Sequence, residues 1–356
     1  MLPRQLSRQL PRQLPRLTLL FALAVIAAAS AFANGAFAEP RLTLKYAHCC
    51  PADQAFGIYA HHFADQVAKN SNGEIQVDVL DGGVMGSEQA TAQKVQLGVV
   101  QMAGITSNNV AQLAPSLNVL VLPYLNNGVD DLTGKGGLLR AGSYRDELNR
   151  RVMAESGSLR VVGGYTNSFR SLFAKSKCIS TLADLKGLKV RAPKNPVMTA
   201  MWKSWGVSTY PIAWGETYGA VAQGVVDAFD SPTDVILKMG FYEHIKYITE
   251  ASYLPMAGVV IANNDWFAGL SKADQDVIMK SLDETDVFHA QWVKDVGAEV
   301  RKALKEQHGV TFCELKDADE WQKRARGAWP ELYKLVGGGK DWVDLTMHYK
   351  ETGKLK

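Results

Sequence analysis

Between residues 42 and 103 the hydrophobic period switches repeatedly between two and about 3.6 residues, and no other feature limits the fold as strongly. Leu42-Thr43-Leu44-Lys45-Tyr46-Ala47 alternates as a strand does, and stops at His48-Cys49-Cys50-Pro51. Over 54–69, Phe56, Tyr59, Ala60, Phe63, Val67 and Ala68 recur at helical spacing. Asn70-Ser71-Asn72-Gly73 ends that helix, with Gly73 suited to a left-handed cap. Ile75, Val77 and Val79 mark a second strand before the turn Asp81-Gly82-Gly83. A helix over 88–98 and a strand over 99–103 follow. The order strand–helix–strand–helix–strand predicts an α/β fold with a mostly parallel sheet.

A second set follows. Strands are expected at 160–165, 188–191 and 225–229, a short capped helix at 180–185, and helices at 196–205 and 216–223. The runs 247–250 and 258–262 read as strands that connect two sheets. From 271 to about 307 the pattern is one long helix or a pair, with Lys272, Asp274, Asp276 and Lys280 in solvent. The tail from 317 to 356 is helical and rich in Trp and Tyr. Two α/β lobes are the most economical architecture for this series.

The first 38 residues stand apart. Arg4, Arg8, Arg12 and Arg16 precede an apolar run, Leu19 to Ala29, and small residues ending Ala36-Phe37-Ala38. That is the order of a secretory signal peptide with cleavage after about Ala38. Ser30 and Asn34-Gly35 interrupt the run, which argues against a membrane anchor of about 20 continuous apolar residues. The leader also explains the charge. The chain has 39 Lys+Arg and 36 Asp+Glu, and without the four leader arginines 35 basic residues face 36 acidic ones. A nucleic-acid partner, which needs surplus cations to neutralise phosphates, is therefore not expected.

Motifs of catalysis are missing. There is no G-x-S-x-G elbow and no H-E-x-x-H, and the glycines at 128–136, 82–86 and 337–339 do not match phosphate- or dinucleotide-binding spacing. No C-x-x-C occurs, and no cofactor or metal is expected. Four cysteines allow three pairings, and export permits any of them. Cys178 and Cys313 are isolated and can meet if both belong to the second lobe. Cys49 and Cys50 are adjacent, so a bridge between them would strain the peptide they share.

Some residues invite a binding role. His61 and His62 are consecutive and point about 100° apart on a helix, so they read as surface histidines. His48 ends the first strand, beside the loops where α/β folds open their ligand sites. Arg191 by itself is an ordinary solvated strand end, but it lies at the carboxyl end of its strand before a proline-stopped turn. Its planar fork suits a carboxylate or sulfonate. Trp214 reads as core packing or as an apolar wall for the same pocket.

Three ordered motifs then carry a resemblance. Leu182-Ala183-Asp184-Leu185-Lys186-Gly187-Leu188-Lys189-Val190-Arg191-Ala192-Pro193, Ala213-Trp214-Gly215-Glu216-Thr217-Tyr218-Gly219-Ala220 and Gln223-Gly224-Val225-Val226-Asp227 resemble the solute-binding proteins of tripartite ATP-independent periplasmic (TRAP) transporters, DctP-type. Ser71-Asn72-Gly73, Met85-Gly86 and Leu122-Pro123-Tyr124 fit as well, and the resemblance spans about residues 41–330.

The resemblance implies a two-lobe periplasmic binding protein fold of the α/β class, with connecting strands and a long helix spanning the lobes. Lobe I is expected at 39–166 plus about 257–296, and lobe II at 167–256 plus about 297–356. It implies capture of a small organic anion by lobe closure, and delivery to the small and large subunits of a membrane permease for ion-gradient-driven uptake. The binding protein is expected to be a periplasmic monomer and not an enzyme. The acid-pairing arginine falls on Arg191, a second basic contact on Arg170, and the aromatic lining position on Trp214. Phe229, Asp230 and Ser231 stand where many members carry amides, and His48, Cys49 and Asn108 are the opposing lobe's contribution. The ligand's identity among monocarboxylates, dicarboxylates, sugar acids and sulfonates is left open, with a compact pocket mildly favouring a short acid. Two other roles are alternatives. Presentation of an anion to a membrane sensor keeps the same fold, and sequence does not separate it from transport. An exported hydrolase or lyase lacks any recognised nucleophile or metal constellation.

Overall fold

A computed structural model describes residues 39–355; the expected signal peptide lies outside them. The chain opens with β1 (Leu42–Ala47), α1 (Ala55–Asn70), β2 (Ile75–Leu80), α2 (Glu88–Gln96), β3 (Met102–Thr106) and the short helix α3 (Ser107–Val110). β2, β1 and β3 pair in parallel in that order. α1 buries Phe56, Tyr59, Ala60, Phe63 and Val67, the face its periodicity marks. It ends at Asn72 and Gly73, both with positive φ.

After α4 (Ser143–Ser156) comes β4 (Leu159–Ala174), a strand of 16 residues where the sequence suggests only six. Its first part pairs antiparallel with β9 (Pro255–Asn263), and from Arg170 onward it pairs with β7 (Ala228–Pro232) and β8 (Tyr247–Thr249). β9 and β4 together join the two halves of the sheet: the expected connector 258–262 falls in β9, between β3 and β4, and 247–250 falls on β8 at the side of β4. The near-continuous burial of β4 is interrupted at Ser168-Phe169, and a register irregularity lies between Thr166 and Phe169. Such a bulge bends the strand and re-aims side chains.

The second half contains β5 (Val190–Ala192), α5 (Pro196–Ser204), β6 (Thr209–Pro211) and α6 (Trp214–Ala222), then β7 followed by α7 (Thr233–Lys238). β5 pairs in parallel with both β6 and β7. The complete order is β2-β1-β3-β9-β4-β7-β5-β6, with β8 beside β4 and paired in parallel to β10 (Thr311–Cys313). The sheet is therefore mixed rather than mostly parallel, because β9 and β4 run antiparallel through its centre. The strand predicted at 225–229 begins three residues later, since Gly224 with positive φ and the turn after it precede the ladder.

α8 (Lys272–Glu306) is a single helix of 35 residues that packs against α1, β4 and α7. Two further helices, α9 (Ala318–Gly327) and α10 (Gly339–Thr352), close the chain; Trp321 and Trp342 are fully buried. Cys178 and Cys313 form a disulfide across 135 positions, with Cα atoms 5.8 Å apart. His62 is not a surface histidine. It is half-buried, bonds Thr285 at 3.0 Å and stacks on Phe288. Among the described residues no helix is long and apolar enough to cross a membrane.

Candidate functional site

The carboxyl ends of β1, β3, β5 and β7 converge on one cavity, the position where α/β sheets open to ligands. About 460 Å3 of empty space lies there, partly open to solvent. Its polar lining includes Gln54, Glu88, Thr106, Asn108, Asn109, Asn167, Arg170, Arg191 and Ser231; Phe56, Trp214, Met256, Pro193 and Val235 supply apolar walls, with Cys49 and Cys50 beside them.

Arg191 is the centre of its electrostatics. It sits in the three-residue β5, opposite Tyr210 on one side and Phe229 on the other. The side chain is 2% exposed, and its Nε and Nη2 both donate to the Ile212 carbonyl, at 3.0 and 2.7 Å. Among the described residues it makes no ion pair. Burial pulls its pKa down to about 10, which Asp230 and Glu88 counteract and Arg170 reinforces. A cation so far below its ordinary value is short of negative charge. The Trp214 ring lies 5.5 Å from the guanidinium, at the start of α6, within cation–π range.

Arg170 is equally buried but already neutralised. Its Nε donates to Asp230 Oδ2 and its Nη2 to the Asp230 carbonyl at 2.8 Å, while the Tyr253 hydroxyl donates to the same carboxylate oxygen. Burial acts to lower the pKa of Arg170, but Asp230 and Tyr253, through charge and hydrogen bonds together, outweigh it and the net movement is upward. Arg170 thus borders the cavity as a paired cation.

Glu88, the first residue of α2, brings a carboxylate to the opposite half. It accepts from the Thr106 amide at 2.7 Å, the Thr106 hydroxyl at 3.0 Å and Asn109 Nδ2 at 2.5 Å. Burial still raises its pKa, with those bonds working against the rise. Three other lining side chains have buried polar atoms without a partner: Gln54 Nε2, Asn108 Nδ2 and Asn167 Oδ1. Buried polar atoms are ordinarily bonded, so this concentration marks a place prepared for a polar guest.

The expected site residues separate into two groups. Arg191, Arg170, Trp214, Ser231, Cys49 and Asn108 line the cavity. Phe229, Asp230 and His48 do not. Phe229 is fully buried between Phe173 and Phe241, 5.1 and 4.9 Å away, because its register on β7 turns it into the core. Asp230 faces Arg170 and Tyr253 instead. His48 contacts Asp81 at 2.8 Å through Nε2 and accepts from the Cys50 amide at Nδ1, 3.3 Å away; burial lowers its pKa despite Asp81. Glu88, Asn109, Gln54 and Met256 escaped the sequence reading. The signal for Glu88 was a Ser87-capped helix start just beyond a glycine-rich turn, which ordinarily means only a favourable helix dipole.

Two α/β halves sharing long strands, with a buried cation and unmatched polar groups between them, define a solute-binding protein. The chain belongs to the bacterial extracellular solute-binding protein family 7 (DctP), which matches residues 46–335; this is the TRAP type, and its members bind solutes rather than transform them. It is 26% identical over 307 residues to a solute-binding protein of Roseobacter denitrificans, covering 86% of this chain and 91% of that protein. It is 27% identical to the 2,3-diketo-L-gulonate-binding periplasmic protein of Escherichia coli, covering 79% and 83%. In fold it is similar to the sugar acid binding protein of Advenella mimigardefordensis in complex with galactonate. There the TM-score is 0.80 at 23% identity, over 89% of this chain and 99% of that one.

Proposed function

We propose that the protein captures a small organic acid in the periplasm and passes it to the small and large membrane subunits of a TRAP permease. The observation that carries this reading is Arg191: a buried guanidinium held by one backbone carbonyl, with no carboxylate of its own, facing a cavity with unpaired amides. A ligand carboxylate or sulfonate supplies the missing charge and takes charge-assisted hydrogen bonds from the free edge of the fork. Gln54, Asn108 and Asn167 then pair with the ligand's other polar groups. Glu88 Oε2, which accepts from one donor, favours a ligand with a hydroxyl or N–H opposite its acid group. The sugar-acid ligands of the Escherichia coli and Advenella relatives support the same chemistry.

In this reading the signal peptide is cleaved after about Ala38 and the protein acts as a monomer. Lobe I comprises residues 39–166 plus about 257–296, and lobe II 167–256 plus about 297–356, with β4 crossing between them near Arg170. Ligand bridging of the lobes biases a closure equilibrium toward the form the permease receives.

A thermal-shift panel tests the reading, because a ligand that binds only the folded state raises its stability. The panel holds D-galactonate, 2,3-diketo-L-gulonate, succinate, ectoine and a small sulfonate. At least one acid is expected to raise the melting temperature of the wild type and not of Arg191→Ala. An acid that shifts both equally sinks the assignment of Arg191.

A further inference from the structure

The pairing of the anion with Arg191 leaves the chemistry of two adjacent sulfurs in the cavity wall unused. Cys49 and Cys50 follow β1, and their Sγ atoms lie 2.7 Å apart. Both line the cavity, and Cys49 also borders a neighbouring groove formed by Gly82, Gly83, Gly86 and Trp214. The turn that carries them is tied on both sides. Gly82 N donates to the Cys50 carbonyl at 2.8 Å and Gly83 N to the His48 carbonyl at 3.0 Å. Gly82 and Gly83 both have positive φ, which lets this loop double back against the cysteines. The other two cysteines are bonded to each other, so Cys49 and Cys50 have no alternative partner within the described residues. A disulfide elsewhere in the fold also places the chain in an oxidising compartment.

We propose that Cys49 and Cys50 close a vicinal disulfide, and that this redox-labile ring forms part of the wall of the solute cavity. Cys49, reached from the groove, gives up its proton, a loss that the Cys50 sulfur and burial oppose, and attacks the disulfide of a thiol–disulfide oxidant of the exported compartment, which releases one oxidant thiol. Cys50, giving up its own proton, then attacks Cys49 Sγ and releases the second. The protein loses two protons and two electrons, one S–S bond forms, and the oxidant's disulfide becomes a dithiol. Closure brings the sulfurs from 2.7 Å to about 2.05 Å. Adjacent Cα atoms are about 3.8 Å apart across a trans peptide, short of the roughly 4.4–6.8 Å range of ordinary disulfides. The ring is therefore strained, and strained disulfides are the more easily reduced ones. Its effect on the solute rests on the function proposed above: oxidation removes two S–H groups beside the ligand and stiffens the turn between β1 and α1.

The test needs no ligand, so its failure leaves the solute-binding reading intact. The exported protein is isolated without reductant, denatured, treated with iodoacetamide and digested with trypsin. Peptide 46–69 contains both cysteines and no internal trypsin site. It is expected without alkylation and two hydrogens lighter than its dithiol form. Recovery with two carbamidomethyl groups, or cross-linked to a peptide containing Cys178 or Cys313, overturns the proposal. A titration of the native protein with reduced and oxidised glutathione checks lability. Cys49–Cys50 is expected to open at least tenfold earlier in reductant ratio than Cys178–Cys313; the reverse order overturns the redox assignment. The variant Cys49→Ser, which keeps the turn's backbone bonds, is expected to leave Cys50 fully alkylated.

Discussion

Asp230 Oδ2 receives the Arg170 guanidinium and the Tyr253 hydroxyl together, so of the two buried arginines at the cavity only Arg191 lacks a carboxylate among the described residues. This division of labour follows from register. Ser171 faces Ser231 and Leu172 faces Asp230 across β4 and β7, while Arg191 lies beside Phe229 on the next strand. The paired arginine stiffens the seam, and the unpaired one is free for an anion. The consequences are separable by mutation.

Arg191→Ala is expected to lower acid affinity by about 2–5 kcal/mol, roughly thirty-fold to several thousand-fold, the range for removing one partner of a buried charge-assisted contact. Stability should change little, because the desolvation of the cation disappears along with its bonds to Ile212. Titration calorimetry beside chemical denaturation separates the two effects. Affinity within threefold of the wild type contradicts the assignment.

Asp230→Asn should behave in the opposite way. It leaves Arg170 as a buried charge without its counterion, and breaking such a pair costs about 3–5 kcal/mol. Urea denaturation should show that loss even without ligand. Tyr253→Phe removes one donor from the same oxygen and should cost only about 1 kcal/mol.

How much of this was legible follows the physics of each residue. β1, β2 and α1 were readable because one face of each is buried and the other is wetter, whereas β3, buried at every position, begins three residues after its expected start at 99. β4 was not readable, since burial along nearly its whole length erases the alternation that marks a strand. Arg191 and Trp214 were found through an ordered motif. Asp230 read as a ligand contact because its partner, Arg170, is 60 residues earlier and only the sheet register brings them together. Glu88 was hidden for a related reason: an acid in a first helical turn is common, and its burial depends on Thr106 and Asn109 closing over it.

The disulfide should contribute substantially to stability. It closes a loop of 135 positions, and in the chain-entropy view such a constraint is worth about 2–5 kcal/mol. A Cys178→Ser/Cys313→Ser double variant should therefore unfold at lower denaturant than the wild type while retaining acid binding below its transition. Equal midpoints for the two proteins would show that the cross-link is thermodynamically silent.

A pair of buried groups where α8 packs on α1 should give stability an unusual pH dependence. Asp286 is buried, bonded by the Tyr59 hydroxyl at 2.5 Å and near Arg140 at 3.2 Å; burial raises its pKa to about 7. The folded state thus holds this proton more tightly than the unfolded one, so its contribution is complete below the ordinary carboxyl range and is lost as pH rises from about 4 to about 7. His289 works with the opposite sign. Burial lowers its pKa to about 4, so its contribution is present above its ordinary 6.5 and is lost as pH falls through the same interval. In the wild type the two slopes oppose each other. Asp286→Asn should unmask the histidine, giving stability that climbs with pH between about 4 and 6.5. His289→Gln should unmask the aspartate, giving stability that declines from about 4 to 7. Denaturation midpoints measured across that range read both slopes, and parallel profiles for the two variants would refute the assignment.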